Sequence, residues 1–536
     1  MKKYLSLGLA ALMLAVVFAG CGGNANSQTP GGNQAGGTGN SDVFYHTVAS
    51  EPYITLDPSA ENSNGVYVLQ NVYDTLTRYN NETNEIEPWL ATEWSQNEDG
   101  TVWEFKLREG VTFHDGSSLD AAVVKKSIDR TMTLGLGAAY IWDPVESIEV
   151  VDDMTVQFTC SEPAAVDLIA SAAYAAYIIS DAACDQDSDW FNSPDGNDGG
   201  SGPYTVRSLA AGDQVVLTAY DGYWQEWKEG SYKNVLIKKS AESSVRRKLL
   251  ESGEAQMGDG LSSTDLNAVK QDENLNVVYE TTYDNIVIFF NTEKAPMDNE
   301  NFRIALSYAF PYQEVVEQVL ENRGAQSRGM VPPGLWGHSE DVLQYSFDLE
   351  KAKEHLELSG VDTANLSLEF AIQSGSSDYR DLAQLWQVYL KQIGVNIEIR
   401  ERNWDSHWEY AKNPKAEERQ DIFVMIWWPD YASPISWFQS LLHSEEDVFF
   451  NLSYIKDPAL DAKIEEANSL TATDRDKAEQ IFIEIQQEVL EKAYMLFPYD
   501  RVVAAVVSKS VEGYVRNPAY PTAVRYFDIT KAASSN

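Results

Sequence analysis

Apolar positions along the chain follow two spacings, and segments of the two kinds are interleaved. Val43-Phe44-Tyr45-His46-Thr47-Val48 is a short apolar-rich run ended by Glu51-Pro52, which predicts a strand. In residues 66–79, VYVLQNVYDTLTRY, the side chains Val66, Leu69, Val72, Tyr73 and Leu76 recur at three- and four-residue steps, which predicts a helix. Residues 102–107 alternate as a strand, and Asp99-Gly100 before them predicts a hairpin turn. A second turn, Asp115-Gly116, precedes a helix from near Ser118, with Asp120 in its first turn, where the helix dipole favours negative charge. Residues 154–159 and 214–219 read as strands, and residues 243–252 as a helix ended by Gly253. The unbroken run IVIFF at 286–290 predicts a strand buried on both faces. Pro311 interrupts 300–322, so two helices are expected there, the second opened by the proline. Further helices are expected over 379–393 and about 474–492, with a strand over 395–400. The whole is mixed α/β without an internal repeat.

The N-terminus carries an address. Lys2 and Lys3 precede an apolar run from Leu5 to Phe18, and the small residues Ala19-Gly20 then lead to Cys21. This is the layout of a secretory signal peptide, and the run is shorter than the ~20 apolar residues a spanning helix needs. Phe18-Ala19-Gly20-Cys21 resembles a bacterial lipobox, although leucine is usual where Phe18 stands. The resemblance implies cleavage before Cys21 and acylation of that cysteine, palmitate included, which anchors the protein by lipid alone on the extracellular face of the cytoplasmic membrane. Residues 22–41, GGNANSQTPGGNQAGGTGNS, lack charge and large apolar side chains and read as a flexible tether. Beyond Cys21 only Cys160 and Cys184 remain, and an exported chain leaves open whether they bridge.

The net charge of −42 argues against nucleic acid as a partner, because binding a phosphate backbone needs a basic surface. It suits a secreted protein that stays soluble, and it favours cationic ligands only in a general way. The six histidines form no His-x-x-x-His pair, so no resident metal is expected, and no cofactor either.

The stretch 87–116, EPWLATEWSQNEDGTVWEFKLREGVTFHDG, resembles the family 5 solute-binding proteins of ABC importers, the peptide- and nickel-binding group. Leu56-Asp57-Pro58, Ser201-Gly202-Pro203-Tyr204, Gly222-Tyr223-Trp224, Phe290-Asn291-Thr292 and Trp428-Pro429-Asp430-Tyr431-Ala432-Ser433-Pro434 follow in the family's order. The resemblance implies a two-lobed fold like that of the periplasmic binding proteins, type II, cluster C, with an extra subdomain in lobe I. On this reading 1–20 is the signal peptide and 21–41 the lipidated cysteine and tether. Lobe I comprises 42–62, 203–285 and 500–536, the subdomain 63–202, and lobe II 286–499.

Relatives that bind peptides meet the ligand's α-amino group with an aspartate in the late aromatic segment, which singles out Asp430. The chemistry is sound, because a charge-assisted hydrogen bond is about twice as strong as a neutral one. Trp427, Trp428 and Tyr431 flank that position. Asn62, Ser63 and Asn64 lie where relatives border side-chain pockets, and Trp404 and Trp408, four residues apart, are candidates for the rim. His114-Asp115 reads as a structural turn. The expected function is capture of oligopeptides between two lobes for an ABC transporter permease, by a monomer. The same fold holding an oligosaccharide or a nickel chelate is the alternative. A secreted hydrolase is the alternative of another class, and no Gly-x-Ser-x-Gly or His-Glu-x-x-His motif supports it.

Overall fold

A sixteen-residue strand, Leu275–Phe290, organises the computed structural model, which describes residues 42–515, 517–519 and 524–533. The expected signal peptide, Cys21 and the tether lie outside the described residues. The strand serves two partners in succession. Leu275 to Thr281 pair antiparallel with Ser508 to Val502, and Asn285 to Phe290 pair antiparallel with Trp427 to Ile422. The ladder to the Asp500–Ser508 strand shifts register between Thr281 and Asn285, so the changeover falls on residues 282–284.

These pairings sit in the middle of a 12-stranded mixed sheet. On one side of the long strand lie Ile422–Trp427, Ser367–Gln373 and Asn396–Arg402. On the other lie Asp500–Ser508, Met257–Asp259, Val43–Val48, Asn234–Lys239, Gln214–Ala219 and Tyr204–Ala210. The IVIFF run is covered on both faces, as its lack of polar alternation predicts. Ile286, Ile288 and Phe290 enter one core, where Phe290 and Phe310 both meet Trp386. Val287 and Phe289 enter the other, with Phe438 and Phe482 stacked 4.6 Å apart.

A separate four-stranded antiparallel sheet, in the order Ala91–Gln96, Val102–Leu107, Thr155–Cys160, Val145–Asp152, is built from the early part of the chain. Trp103, Phe105 and Leu107 point inward, and Phe105 meets Phe158 edge to face at 5.5 Å. The helix Ala121–Leu134 covers it. Asp120 is that helix's N-cap, accepting from the Val123 N–H at 2.8 Å, rather than a member of its first turn. The Leu56-Asp57-Pro58 motif has a structural use. Buried Asp57 accepts two 2.8 Å hydrogen bonds from Arg130 and one from Ser188. Burial works against the Asp57 carboxylate, but Arg130 and Ser188 hold its pKa below the ordinary value.

One expected element is shorter than its pattern. The helix from Val66 ends at Val72, because Tyr73 turns extended, Asp74 bridges to Ile178, and Thr77–Asn80 pair as a strand with Glu85–Pro88. Leu76 is buried from an extended segment, so its spacing mimicked a fourth helical turn. Cys160 and Cys184 both carry free thiols. Among the described residues no helix is long and apolar enough to cross a membrane.

Candidate functional site

The strand Ile422–Trp427 ends where Pro429, which has no N–H to continue the ladder, turns the chain out of the sheet. The chain re-enters regular structure at the helix Ile435–Leu442, and the segment between carries Asp430 and Tyr431. Facing it is the 3₁₀ turn Ala139–Trp142. Trp142 fastens that turn to the four-stranded sheet, stacking on Phe158 at 5.7 Å and donating its indole N–H to the Ala175 carbonyl at 2.8 Å. Tyr140, two residues earlier, therefore projects outward, and its hydroxyl donates to Asp430 Oδ1 at 2.6 Å.

Asp430 and Tyr431 line one wall of a cavity of about 600 Å³, inside the ~300–1,000 Å³ span usual for ligand sites. Asp430 keeps some contact with solvent through the cavity while protein surrounds it on the other sides. Burial pushes its pKa up to about 6, with the Tyr140 hydrogen bond pulling the other way. The opposite wall comes from Tyr140, Ile141, Asp143 and Pro144 with Glu162–Ala165, and the floor from helices carrying Ser436, Gln439 and Asn468.

The aromatic candidates form a chain that leads to this loop. Trp404 and Trp408 stack at 5.5 Å on the helix Trp404–Ala411, Trp408 meets Phe450 at 5.5 Å, and Phe450 meets Trp427 at 4.9 Å. Trp427 is buried, with an indole N–H that has no partner among the described residues. Trp404 is 43% exposed. Trp428 is 42% exposed and does not line the cavity. Asn62, Ser63 and Asn64 also lie off the cavity wall. The Ser63 carbonyl accepts from the Tyr174 hydroxyl at 3.1 Å, and Asn64 donates to the Glu51 carbonyl.

Further contacts join the small sheet to the 458–491 helices. Arg475 donates to both carboxylate oxygens of Asp167, at 2.6 and 2.7 Å, and Gln96 donates to the Ala472 carbonyl at 2.6 Å. His114 is held between Asp198 and the Gly202 carbonyl, as a buried structural pin of the 107–116 turn. Among the described residues no cluster of histidine, cysteine and carboxylate side chains has the arrangement of a metal site.

Comparison with known proteins identifies the family. The sequence profile of the bacterial extracellular solute-binding proteins, family 5, matches residues 85–449. The chain belongs to that family. This family 5 protein is 28% identical over 488 residues to the probable D,D-dipeptide-binding periplasmic protein DdpA of Escherichia coli, covering 88% of this chain and 90% of that one. It is 26% identical over 493 residues to the dipeptide-binding protein of E. coli, covering 86% and 90%. A solved structure of the periplasmic binding protein DppA from Helicobacter pylori, in complex with the peptide STSA, superposes with a TM-score of 0.74 at 22% identity, covering 92% of this chain and 98% of that one. The family 5 protein therefore has the two-lobed α/β fold of periplasmic binding proteins, and it is a solute-binding protein, not an enzyme.

Sequence reading found Asp430 and Tyr431 but not Tyr140, Asp143, Glu162 or Ser436, which the fold brings to the same cavity. Residues 140–143, YIWD, carry no spacing that distinguishes them from a buried turn; only the direction imposed by Trp142 does so.

Proposed function

We propose that this protein captures peptides for an ABC importer, holding the peptide's α-ammonium on Asp430 as the lobes close around it. The observation that carries the reading is the Tyr140–Asp430 hydrogen bond at the cavity wall: Asp430 faces a ligand-sized space and already accepts from a donor across it. An ammonium there replaces a neutral hydroxyl donor with a charged one, which strengthens the bond in a partly dry setting. The dipeptide-binding names of two relatives support the ligand class. Trp427 and the Trp404–Trp408 pair are the surfaces on which ligand side chains rest, with Tyr431 beside the ammonium. The loop 62–64, held near Tyr174, borders the entrance from the opposite lobe, and Trp428 meets the ligand's outer end.

The lobe division proposed is 42–62, 203–285 and 500–536 for lobe I, 63–202 for its subdomain, and 286–499 for lobe II. Residues 1–20 direct export, and acylation of Cys21 retains the protein at the extracellular membrane face as a monomer that docks on permease subunits. Closure is the signal the importer reads, and a ligand drives it only by binding the closed form better.

Three experiments test this. Native mass spectrometry of protein purified from its host should reveal a retained peptide mass. Asp430→Ala should weaken a free-amine dipeptide tenfold or more, and its N-acetylated analogue by less than twofold; equal losses would remove Asp430 from amine recognition. Cys21→Ser should move the protein from the membrane fraction to the medium.

A further inference from the structure

The 600 Å³ cavity is lined by acidic and neutral polar side chains with little positive charge to balance them. Four carboxylates line it, from Asp143, Glu162, Asp430 and Glu465, and no lysine or arginine does. Its one basic side chain, His443, is committed to Glu465 at 3.1 Å. Asp143 and Glu162 have no cationic partner among the described residues, and desolvation alone raises the Asp143 pKa.

Their placement is fixed by the same turn that sets Tyr140. Asp143 follows Tyr140 by three residues at the end of a 3₁₀ turn, where side chains at that spacing lie one above the other. The Asp143 N–H closes the turn on the Tyr140 carbonyl at 3.0 Å. Glu162 is brought alongside because Ser161 donates to the Pro144 carbonyl at 2.9 Å. The two carboxylates, both on exposed residues, thus line the same side of the cavity as Tyr140.

An independent observation concerns the floor. Ser436 is only 8% exposed, and its hydroxyl has no hydrogen-bond partner. The Asn468 side-chain amide donates to Gln439 at 2.7 Å, leaving its carbonyl oxygen buried and unpartnered. Buried polar atoms are normally satisfied, so these two call for a polar partner from what fills the cavity, and the Asn468 oxygen can take only a donor. A lysine ammonium offers three donors and an arginine guanidinium five, and neither accepts.

We propose that the cavity receives a cationic side chain of the bound peptide, lysine or arginine, between the Asp143–Glu162 wall and the Ser436–Asn468 floor. This rests on the peptide reading above and adds the ligand's charge class to it. The acidity of the whole chain acts in the same direction, raising the encounter rate of cationic peptides at low salt.

The test is calorimetric titration at pH 7.5 and low salt with Ala-Lys-Ala, Ala-norleucine-Ala and Ala-Glu-Ala, which share a free amine and a similar length. Ala-Lys-Ala should bind at least tenfold tighter than the norleucine peptide, and Ala-Glu-Ala weaker than both. In the double variant Asp143→Asn/Glu162→Gln, whose folding is checked by its melting temperature, the lysine-to-norleucine ratio should fall below threefold. Equal binding of all three peptides overturns this proposal and leaves the peptide reading standing. A lysine preference that survives the double variant overturns it as well. Failure of all three to bind defeats both.

Discussion

Arg475 donates through one nitrogen to both oxygens of Asp167, a contact that joins the two lobes on the division proposed above. Asp167 is nearly buried, whereas Arg475 keeps more than a third of its side chain in solvent. The pair is therefore a latch of modest strength, about 1 kcal/mol after solvent screening. Asp167→Asn or Arg475→Ala should speed ligand release and weaken affinity roughly fivefold, the equivalent of that energy. A double-mutant cycle on the ligand's dissociation rate checks it: the two losses should not add.

Affinity should depend on pH through Asp430. Burial places its pKa at about 6 in the free protein, and a bound ammonium favours the charged carboxylate and so lowers it. Below about pH 6 the free carboxyl is protonated and must release its proton before it can pair. A free-amine peptide should thus lose about tenfold in affinity per pH unit below 6, with one proton released on binding. The same titration with an N-acetylated peptide, or with Asp430→Asn, should be flat between pH 5 and 7.

Gly100 and Gly116 offer a matched pair. Both sit at positive φ, +67° and +87°, where a side chain costs roughly 1–2 kcal/mol. A methyl group on Gly116 would meet nothing within 4 Å, but on Gly100 it would stand 2.9 Å from the Ala472 Cβ of the helix Pro458–Thr473. Both Gly100→Ala and Gly116→Ala should lower the melting temperature, and Gly100→Ala should do so by more, because only there does the added carbon press on a neighbouring helix.

Beside the register shift of the long strand, Asp500 accepts from Ser327 at 2.6 Å and interacts with Asn285, Asp284 and His338. Burial, the dominant cause, pushes its pKa up to about 7, with Ser327 and His338 opposing and Asp284 adding to the rise. A carboxyl raised in the folded state contributes stability that is present below its ordinary pKa and lost as pH rises through about 7. Asp500→Asn should therefore raise the melting temperature at pH 8 and have little effect at pH 4.

Much of this architecture is legible in the chain. The IVIFF run announces a strand covered on both faces, and the turns at Gly100 and Gly116 stand where Asp-Gly places them. Helices expected over 379–393 and 474–492 appear as Ser377–Gln392 and Arg475–Glu491. The segment 73–79 misleads because a buried residue at the right interval satisfies helical spacing whatever its backbone does. The site is half legible for a related reason. Asp430 lies in a segment whose residue types carry meaning, whereas Tyr140 and Asp143 matter only because Trp142, held by the distant Phe158 and Ala175, orients their turn. Asn62–Asn64 lie off the cavity wall, a placement that their residue types alone do not reveal.

One strand feeding two cores also ties the fates of those cores together. If the helices over the 285–290 stretch came apart, Ile286, Ile288 and Phe290 would be stripped of cover. The same backbone, continuing through 275–281, would then transmit the disorder into the neighbouring ladder. Chains of this length often melt piecemeal, one region before another. Here a single heat-absorption peak is expected, because neither core can be lost without unsettling the strand that serves both.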